Sequence, residues 1–203
     1  MTSEEIKAYL PKYLSDKSIE GMLKAFRKYP EIVPDSFYTN YLTDDEFYQG
    51  DGIGDMIFFN LPDINKKYYP CMLLSNSCDM DNNNIRRFPV NVLYAPIIKL
   101  DKYISAVKNS GNSEQFLSSH IASVKKQTLT NLFYLPAYSN IIEDSLVLLD
   151  RILNIPASQI NKAEYIKNRI FSLSDYGFYF LLFKLSLHFS RMKEEVDRRS
   201  FLY

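Results

Sequence analysis

Residues Tyr68 to Leu100 read YYPCMLLSNSCDMDNNNIRRFPVNVLYAPIIKL, and the prediction of the fold begins with this stretch. Its first apolar run, Met72 to Leu74, lies between a proline and a polar segment, which is typical of a buried strand that ends in a turn. Residues 81–84 (DNNN) predict a loop, because Asp and Asn tolerate left-handed backbone. Residues Val90 to Ile98 are rich in β-branched and aromatic side chains and predict a second strand, with Pro96 at an edge or bulge.

Length and composition predict a packed domain. The chain has 203 residues, enough for a sizeable core, and 15% of them are aromatic, which is too many for a disordered protein. Lys plus Arg and Asp plus Glu both number 24, so the formal net charge is zero. A neutral chain has no global attraction for nucleic acid, so any such binding requires a local basic patch.

The two cysteines indicate a reducing compartment. Cys71 lies on the first predicted strand and Cys78 in the loop that follows it. An odd spacing along an extended strand directs two side chains to opposite faces, which argues against a disulfide between them. With no secretory signal recognised at the N-terminus, the sequence predicts a cytoplasmic protein.

The rest of the chain predicts an α+β fold. Residues 1–48 are predicted to form a helical N-terminal extension, and residues 49–203 a barrel domain with inserted helices and a long C-terminal helix. Further strands are predicted at 53–61, 131–136, 145–152 and 168–173, and helices at 101–110, 113–127 and 174 to about 199. We also predict a loop that carries Lys66 and Lys67, and a short helical connection at 156–165. Five or six short strands are enough to curl into a small, strongly bent β-barrel, and their irregular order disfavours a doubly wound parallel sheet.

The C-terminal helix is the element with the strongest local signals. Ser174 is a good N-cap, and Asp175 places an acid in the first turn. Apolar residues occur all round the helix from Tyr176 to Phe189, so we expect it to be covered on several sides. This segment is too short and too polar to span a bilayer, and no membrane partner is predicted.

The candidate catalytic residues are Cys78, Asp79 and Arg86. The Cys78 thiol is either a small residue that closes a strand end or a nucleophile activated by nearby arginines, although no histidine lies close to it in sequence. Asp79 and Asp81, with Arg86 or Arg87, form either a carboxylate–guanidinium pair that orders the loop or a carboxylate base and phosphate-binding guanidinium for RNA cleavage. His120 is interpreted as a solvated side chain on a surface helix. With two histidines and two cysteines in the chain, no metal site and no cofactor are predicted.

Three short motifs carry a resemblance to a known family. They are Gly50-Asp51 before a strand, Pro70-Cys71-Met72-Leu73-Leu74-Ser75-Asn76, and Pro89-Val90-Asn91-Val92 leading to Ala95-Pro96-Ile97. Their order over residues 49–98 resembles the MazF/PemK toxin family. The resemblance implies a small barrel of the Src-homology type that cuts single-stranded RNA as a dimer and pairs with an antitoxin.

The basic residues of this chain depart from the pattern of that family. The family has basic residues just before the strand proline, where this chain has Tyr68-Tyr69, with Lys66-Lys67 farther back. The predicted nucleic-acid-binding residues are Lys66, Lys67 and Arg87.

Three functions are compatible with these observations. The first is a toxin or phage-defence factor of the MazF/PemK kind that binds or cleaves RNA. The second is a non-catalytic interaction module, whose barrel and aromatic C-terminal helix dock a protein partner or a second copy of the chain. The third is an enzyme that uses Cys78 as its nucleophile.

Overall fold

The computed structural model describes residues 36–42, 45–60, 62–81 and 87–190. Within these ranges the chain forms eight strands and five α-helices, which confirms the predicted α+β class. The strands are β1 Tyr38–Thr39, β2 Gly52–Asn60, β3 Asp63–Leu73, β4 Asn91–Lys99, β5 Leu132–Leu135, β6 Ser145–Leu148, β7 Leu153–Pro156 and β8 Arg169–Leu173. The helices are α1 Ser77–Met80, α2 Leu100–Asn109, α3 Glu114–Lys125, α4 Lys162–Lys167 and α5 Asp175–Ser190, with a 3₁₀ turn at Ala157–Gln159.

All eight strands belong to one antiparallel sheet. Its order is β1-β8-β2-β3-β4-β6-β5, and β7 pairs with the first half of β4. In the described ranges no ladder joins β1 to β5, so backbone pairing does not close the sheet into the predicted barrel. The sheet is nevertheless curled, as contacts between residues at its two ends show.

Contacts between the ends of the sheet show how strongly it is bent. The Tyr38 hydroxyl on β1 donates a hydrogen bond of 2.7 Å to the carbonyl of Pro136, directly after β5. Beside it, the rings of Phe37 and Phe133 lie 5.8 Å apart. The sheet as a whole is therefore bent so far that its two ends come into contact.

The concave face of the sheet holds the main core. Alternate strand residues point to it, and α5 packs across it with Phe180 and Leu181, both fully buried. The Gly177 position allows this helix to approach, because a Cβ there would collide with the backbone carbonyl of Phe37. Ser174 caps the helix as predicted: its hydroxyl accepts a hydrogen bond from the Gly177 N–H.

The convex face is covered in two separate patches. One cluster, formed by side chains such as Cys71 and Tyr94, packs under the segment that contains α4. The other, which includes Leu146 and Leu148, packs under the α2–α3 hairpin. Between the two patches the sheet is left partly uncovered.

Pro70 ends the ladder between β3 and β4 early. The ladder has three pairs, from Cys71–Pro96 to Leu73–Tyr94. Pro70, the next residue of β3, has no amide hydrogen to donate. On the other side of Pro70, among the described residues, β2 is the one strand that still pairs with β3. There the two strands form a projecting hairpin, which we call the arm (residues 56–60 and 62–69).

Several predicted boundaries change in the structure. Lys66 and Lys67 lie on β3 and not in a loop, because pairing with β2 extends that strand back to Asp63. An extra strand, β7, precedes the predicted helical connection at 156–165 and pairs with β4, and the connection itself holds the 3₁₀ turn and the start of α4. Of the predicted helical extension, residues 1–35 lie outside the described residues, and Tyr38–Thr39 forms β1. The predicted end of the last helix, beyond Ser190, also lies outside them.

Candidate functional site

The polar segment after β3 is occupied with hydrogen bonds that hold the chain. The Ser75 hydroxyl accepts a 2.8 Å hydrogen bond from the Leu93 N–H on β4. The Asn76 side chain caps α1, and the Ser77 hydroxyl accepts from the Gln49 N–H at 3.0 Å. These side chains tie α1 to β4 and to the segment before β2, so the loop is a structural junction.

The structure places two of the three predicted catalytic residues on this junction. Cys78 is exposed and Asp79 is half-buried, both within the single turn of α1. Arg86 lies outside the described residues, so its predicted pairing with Asp79 stays a prediction. Cys71 is a free buried thiol, and burial raises its pKa to about 12, which keeps it protonated and unreactive at neutral pH.

His120 connects two helices. Its ring stacks on Phe116 and Tyr103, with centroids 5.4 Å and 5.8 Å away, and its Nε2 lies 2.8 Å from the Tyr103 hydroxyl. The side chain is half-buried between α2 and α3 and is not the fully solvated group that the sequence predicted.

The predicted nucleic-acid-binding residues divide into two groups. Lys66 and Lys67 lie on the arm, before the β3–β4 ladder. Arg87 is exposed and precedes β4, at the other end of the same antiparallel ladder. The structure therefore places both lysines on the arm, on opposite faces, and Arg87 apart from them.

A groove on the convex face contains Lys67. It has a volume of about 190 Å³ and occupies the gap between the two helical patches. Its lining is aromatic, aliphatic and basic: Phe58, Asn60, Lys67, Tyr69, Pro96, Ile98, Leu148 and Arg151. We call it the convex groove.

The arm carries a lysine and a tyrosine on each of its faces. Successive strand residues point to opposite sides, so Lys67 and Tyr69 share one face and Lys66 and Tyr68 the other. The Lys66 ammonium lies over the Tyr68 ring, 5.1 Å from its centroid, and that ring is 57% exposed. Lys67 pairs with Asp63 at 3.8 Å, and since both side chains are exposed this pair contributes little to stability.

The base of the same hairpin holds a buried charge network. Asp51 is fully buried and accepts hydrogen bonds from the Ser172 hydroxyl at 2.6 Å and from the Tyr48 N–H at 3.0 Å. The Arg169 guanidinium lies 3.3 Å from the carboxylate, stacks on the Tyr48 ring and donates to the Glu46 carbonyl. Burial raises the pKa of Asp51, while these three partners oppose the rise. The network joins β8 to the start of β2.

A second carboxylate organises the loop between β5 and β6. Asp144 accepts hydrogen bonds from the Lys125 ammonium and the Tyr134 hydroxyl, both at 2.8 Å, and from the Ala137 N–H at 2.9 Å. Burial alone would raise the pKa of Asp144, but these hydrogen bonds outweigh it and lower the pKa below its ordinary value.

Lys184 on α5 is the charged side chain buried in the main core. It is 2% exposed, and its ammonium donates a 2.5 Å hydrogen bond to the carbonyl of Gln127. Desolvation lowers the pKa of Lys184 to about 8. The Gln127 side chain in turn bonds the backbone of Tyr134 on β5, so this chain of contacts fixes the helix against the sheet.

The described residues offer no ready metal site and no bilayer-spanning helix. Among them, no three His, Cys, Asp or Glu side chains are grouped so that they could hold an ion. Likewise, none of the helices in the described ranges has the length and apolar character that crossing a membrane requires.

Sequence reasoning missed the residues that complete the convex groove. Arg151 follows β6, and Phe58 lies within an apolar stretch of β2. The two-residue spacing of Lys67 and Tyr69 is a usable signal in the sequence, because it places a lysine and a tyrosine on one face of a strand. No local signal pointed to Arg151, whose position depends on the β4–β6 pairing.

No protein-family model matches the chain, and a search of curated proteins finds no match. The resemblance to MazF/PemK toxins stays a prediction that rests on the motifs between residues 49 and 98.

Proposed function

We propose that the protein binds single-stranded RNA through the arm and the convex groove, as an open barrel of the MazF/PemK kind in the cytoplasm. The observation that carries this proposal is the pairing of one lysine with one tyrosine on each face of the arm, beside a groove whose opposite side carries Arg151.

The chemistry of these side chains suits an unpaired strand. Aromatic faces stack on bases of any sequence, and neighbouring cations track the phosphates. Tyr68 has an open ring, and Tyr69 lines the groove beside Lys67. Bases inside a duplex are already stacked on one another, so this arrangement favours single strands.

The size of the groove limits what it holds. Pockets that enclose a whole drug-sized molecule measure roughly 300–1,000 Å³. At about 190 Å³ the convex groove is below that range, so it suits one base or a phosphate of a longer strand. The exposed arm provides the further contact area that a strand of several nucleotides needs.

The charges on and beside the arm suit a phosphate. Lys66, Lys67 and Arg151 lie on or beside the arm, and Asp63 is the acid paired there with Lys67. Because that pair is exposed and 3.8 Å long, a phosphate can replace the carboxylate at small expense in free energy.

The test is a titration of fluorescent single-stranded RNA, single-stranded DNA of the same sequence and duplex RNA, followed by anisotropy at several salt concentrations. Three phosphate contacts predict a log–log salt slope of about −2 for the single strand. The double variant Lys67→Gln/Arg151→Gln should weaken binding and reduce the slope by about 0.7 for each phosphate interaction that it removes.

The matched control is Lys102→Gln/Lys126→Gln, which removes the same charge from exposed positions on α2 and after α3. It should leave the affinity and the slope unchanged. Equal losses in both double variants would mean that net charge, and not the groove, drives binding. Equal affinity for duplex RNA would remove the single-strand assignment.

Cleavage of the bound RNA is a separate proposal from the resemblance, with Asp79, Arg86 and Cys78 as its residues. Asp79→Asn should abolish cutting while RNA affinity stays the same, because Asp79 lies on the junction and the arm is at the other end of the ladder. RNA left intact by the wild-type protein would contradict cleavage and leave the binding proposal standing.

The second candidate function is docking of a protein partner or a second copy on the end of α5. Phe189 is 69% exposed and Leu187 38% exposed in the last turn of this helix, so two large apolar side chains there are open to a partner. Sedimentation of the wild-type chain and of Phe189→Ser tests it. A wild-type monomer that co-purifies with no other protein would contradict this function.

A further inference from the structure

A second cavity opens on the concave side of the sheet. It measures about 390 Å³, within the range of small-molecule sites, and we call it the concave cleft. Its floor is aliphatic and comes from four elements: Pro70 on β3, Ile97 on β4, Ile170 on β8 and Ile142 in the β5–β6 loop. No aromatic ring from the described part of the chain lines it, so it offers nothing for a base to stack on.

The walls of the cleft are held in place before any ligand arrives. An antiparallel β-bridge between Tyr138 and Ile142 closes the β5–β6 loop. Asp144 fixes the end of this loop through its three hydrogen bonds. Ser139, at the tip, has a left-handed φ of 49°, a conformation that a serine keeps only when its surroundings determine it. A preformed cleft of this kind binds without a large loss of conformational entropy.

The mouth of the cleft carries both signs of charge. The Lys99 ammonium lies 2.8 Å from a carboxylate oxygen of Glu143, and the two side chains are 55% and 68% exposed. A ligand with one charge would meet an opposite and a like charge at nearly the same place, and the attractions would cancel. A ligand with an ammonium and a carboxylate on one carbon can bond both partners, and an exposed ion pair is weak enough to open for it.

We propose that the concave cleft binds a free α-amino acid with a branched aliphatic side chain. The ammonium pairs with Glu143 and the carboxylate with Lys99, while the side chain lies on Ile97 and Ile142. This site is independent of the convex groove and of RNA binding.

The experiment is a titration of the isotope-labelled protein, followed by amide chemical shifts, with three ligands that share one carbon chain. These are L-leucine, isocaproate, which lacks the ammonium, and isoamylamine, which lacks the carboxylate. Leucine should shift the amides around Ile97 and Ile142, and each of the other two should bind at least about fivefold more weakly, since each loses one charge-assisted hydrogen bond. Leucine without such shifts, or isocaproate or isoamylamine binding as tightly as leucine, overturns the proposal.

Variants of the ion pair give a second test. Lys99→Gln and Glu143→Gln should each weaken leucine binding by about threefold to tenfold. The charge swap Lys99→Glu/Glu143→Lys should recover much of it, because the mouth again offers both signs. Lys102→Gln, an exposed lysine that does not line the cleft, is the control and should bind leucine as the wild type does. Leucine affinity that is unchanged in both single variants overturns the assignment of the head group.

Discussion

The two ends of the β2–β3 hairpin use their charged residues in opposite ways. At the base, the side chains of Asp51 and Arg169 are almost completely buried and form an ion pair, and hydrogen bonds join Asp51 to Ser172 and Arg169 to the Glu46 carbonyl. At the tip, Lys66 and Lys67 are exposed on strands that pair only with each other. The base fastens the hairpin to β8, and the tip is free to meet a ligand.

The difference shows that a polar cluster in a sequence does not by itself mark a site. The segment Ser75–Asp81 is rich in polar side chains, yet its first three side chains bond to β4, α1 and the residues before β2. The arm is plainer in sequence, but Lys66, Lys67 and Tyr68 are exposed and Tyr69 lines the convex groove. The two regions differ in what their side chains do: Ser75, Asn76 and Ser77 bond to backbone groups that hold the fold, and the side chains of the arm present a surface.

The largest effect is expected from Asp51→Ala. The variant leaves the Arg169 guanidinium, the Ser172 hydroxyl and the Tyr48 N–H buried without their shared acceptor. Removing one partner of a buried ion pair lowers stability by about 3–5 kcal/mol. The free energy of unfolding in urea measures the loss.

Asp63→Ala makes the same change at the tip of the same hairpin. Asp63 is exposed and its pair with Lys67 is weak, so the free energy of unfolding should fall by less than about 1 kcal/mol. Similar losses in the Asp51 and Asp63 variants would break the distinction between base and tip.

Lys184 extends the comparison to a buried charge in the main core. Desolvation lowers its folded-state pKa from 10.5 to about 8, so between these pH values the unfolded chain binds more protons than the folded one. The free energy of unfolding should therefore rise across this interval, by about 1–3 kcal/mol from this residue. Below pH 8 both states are protonated, and the contribution of Lys184 is constant.

The measurement is urea unfolding of the wild type and of Lys184→Met at pH 7 and at pH 10.5. Methionine fills similar volume and carries no charge, so the stability of the variant relative to the wild type should decrease at the higher pH. Taking this difference removes the titration of the other lysines and the tyrosines. A difference that is the same at both pH values would contradict the lowered pKa.

The smallest effect on stability is expected at the arm. Lys66→Gln/Lys67→Gln should change the free energy of unfolding by no more than about 0.5 kcal/mol, because both side chains are exposed. The same variant should lose RNA affinity. Thermal unfolding and the RNA titration, made on one preparation, check both expectations. A marked loss of stability would mean that the lysines of the arm have a structural role.

Features set by neighbouring residues were predictable from the sequence. The Ser174 cap and the helices α2 and α3 depend on hydrogen bonds within a few positions, and the structure has them within two residues of the predicted bounds. The strand predicted at Val90–Ile98 is displaced by one residue, to Asn91–Lys99. Alternating side chains are enough to define such an element.

Features that join distant residues were not predictable in this way. Ser172 lies 121 positions from Asp51, so nothing beside Gly50-Asp51 in the sequence indicates that the carboxylate is buried in a charge network. The contact between Tyr38 and Pro136 spans 98 positions. The convex groove is the gap between the two helical patches on the sheet. Its position depends on how far each patch extends, which no single stretch of sequence determines.

The pairing of β1 with β8 has a consequence for the order in which the protein can be made. Tyr38 and Thr39 find their ladder partners at Leu173 and Ser172, which leave the ribosome more than a hundred residues later. Until then Phe37 lacks the helix that buries it, and Asp51 lacks Ser172 and Arg169. A nascent chain that stops short of β8 therefore keeps exposed the apolar and charged groups that β8 and α5 cover in the folded protein, and exposed apolar surface of this kind favours aggregation.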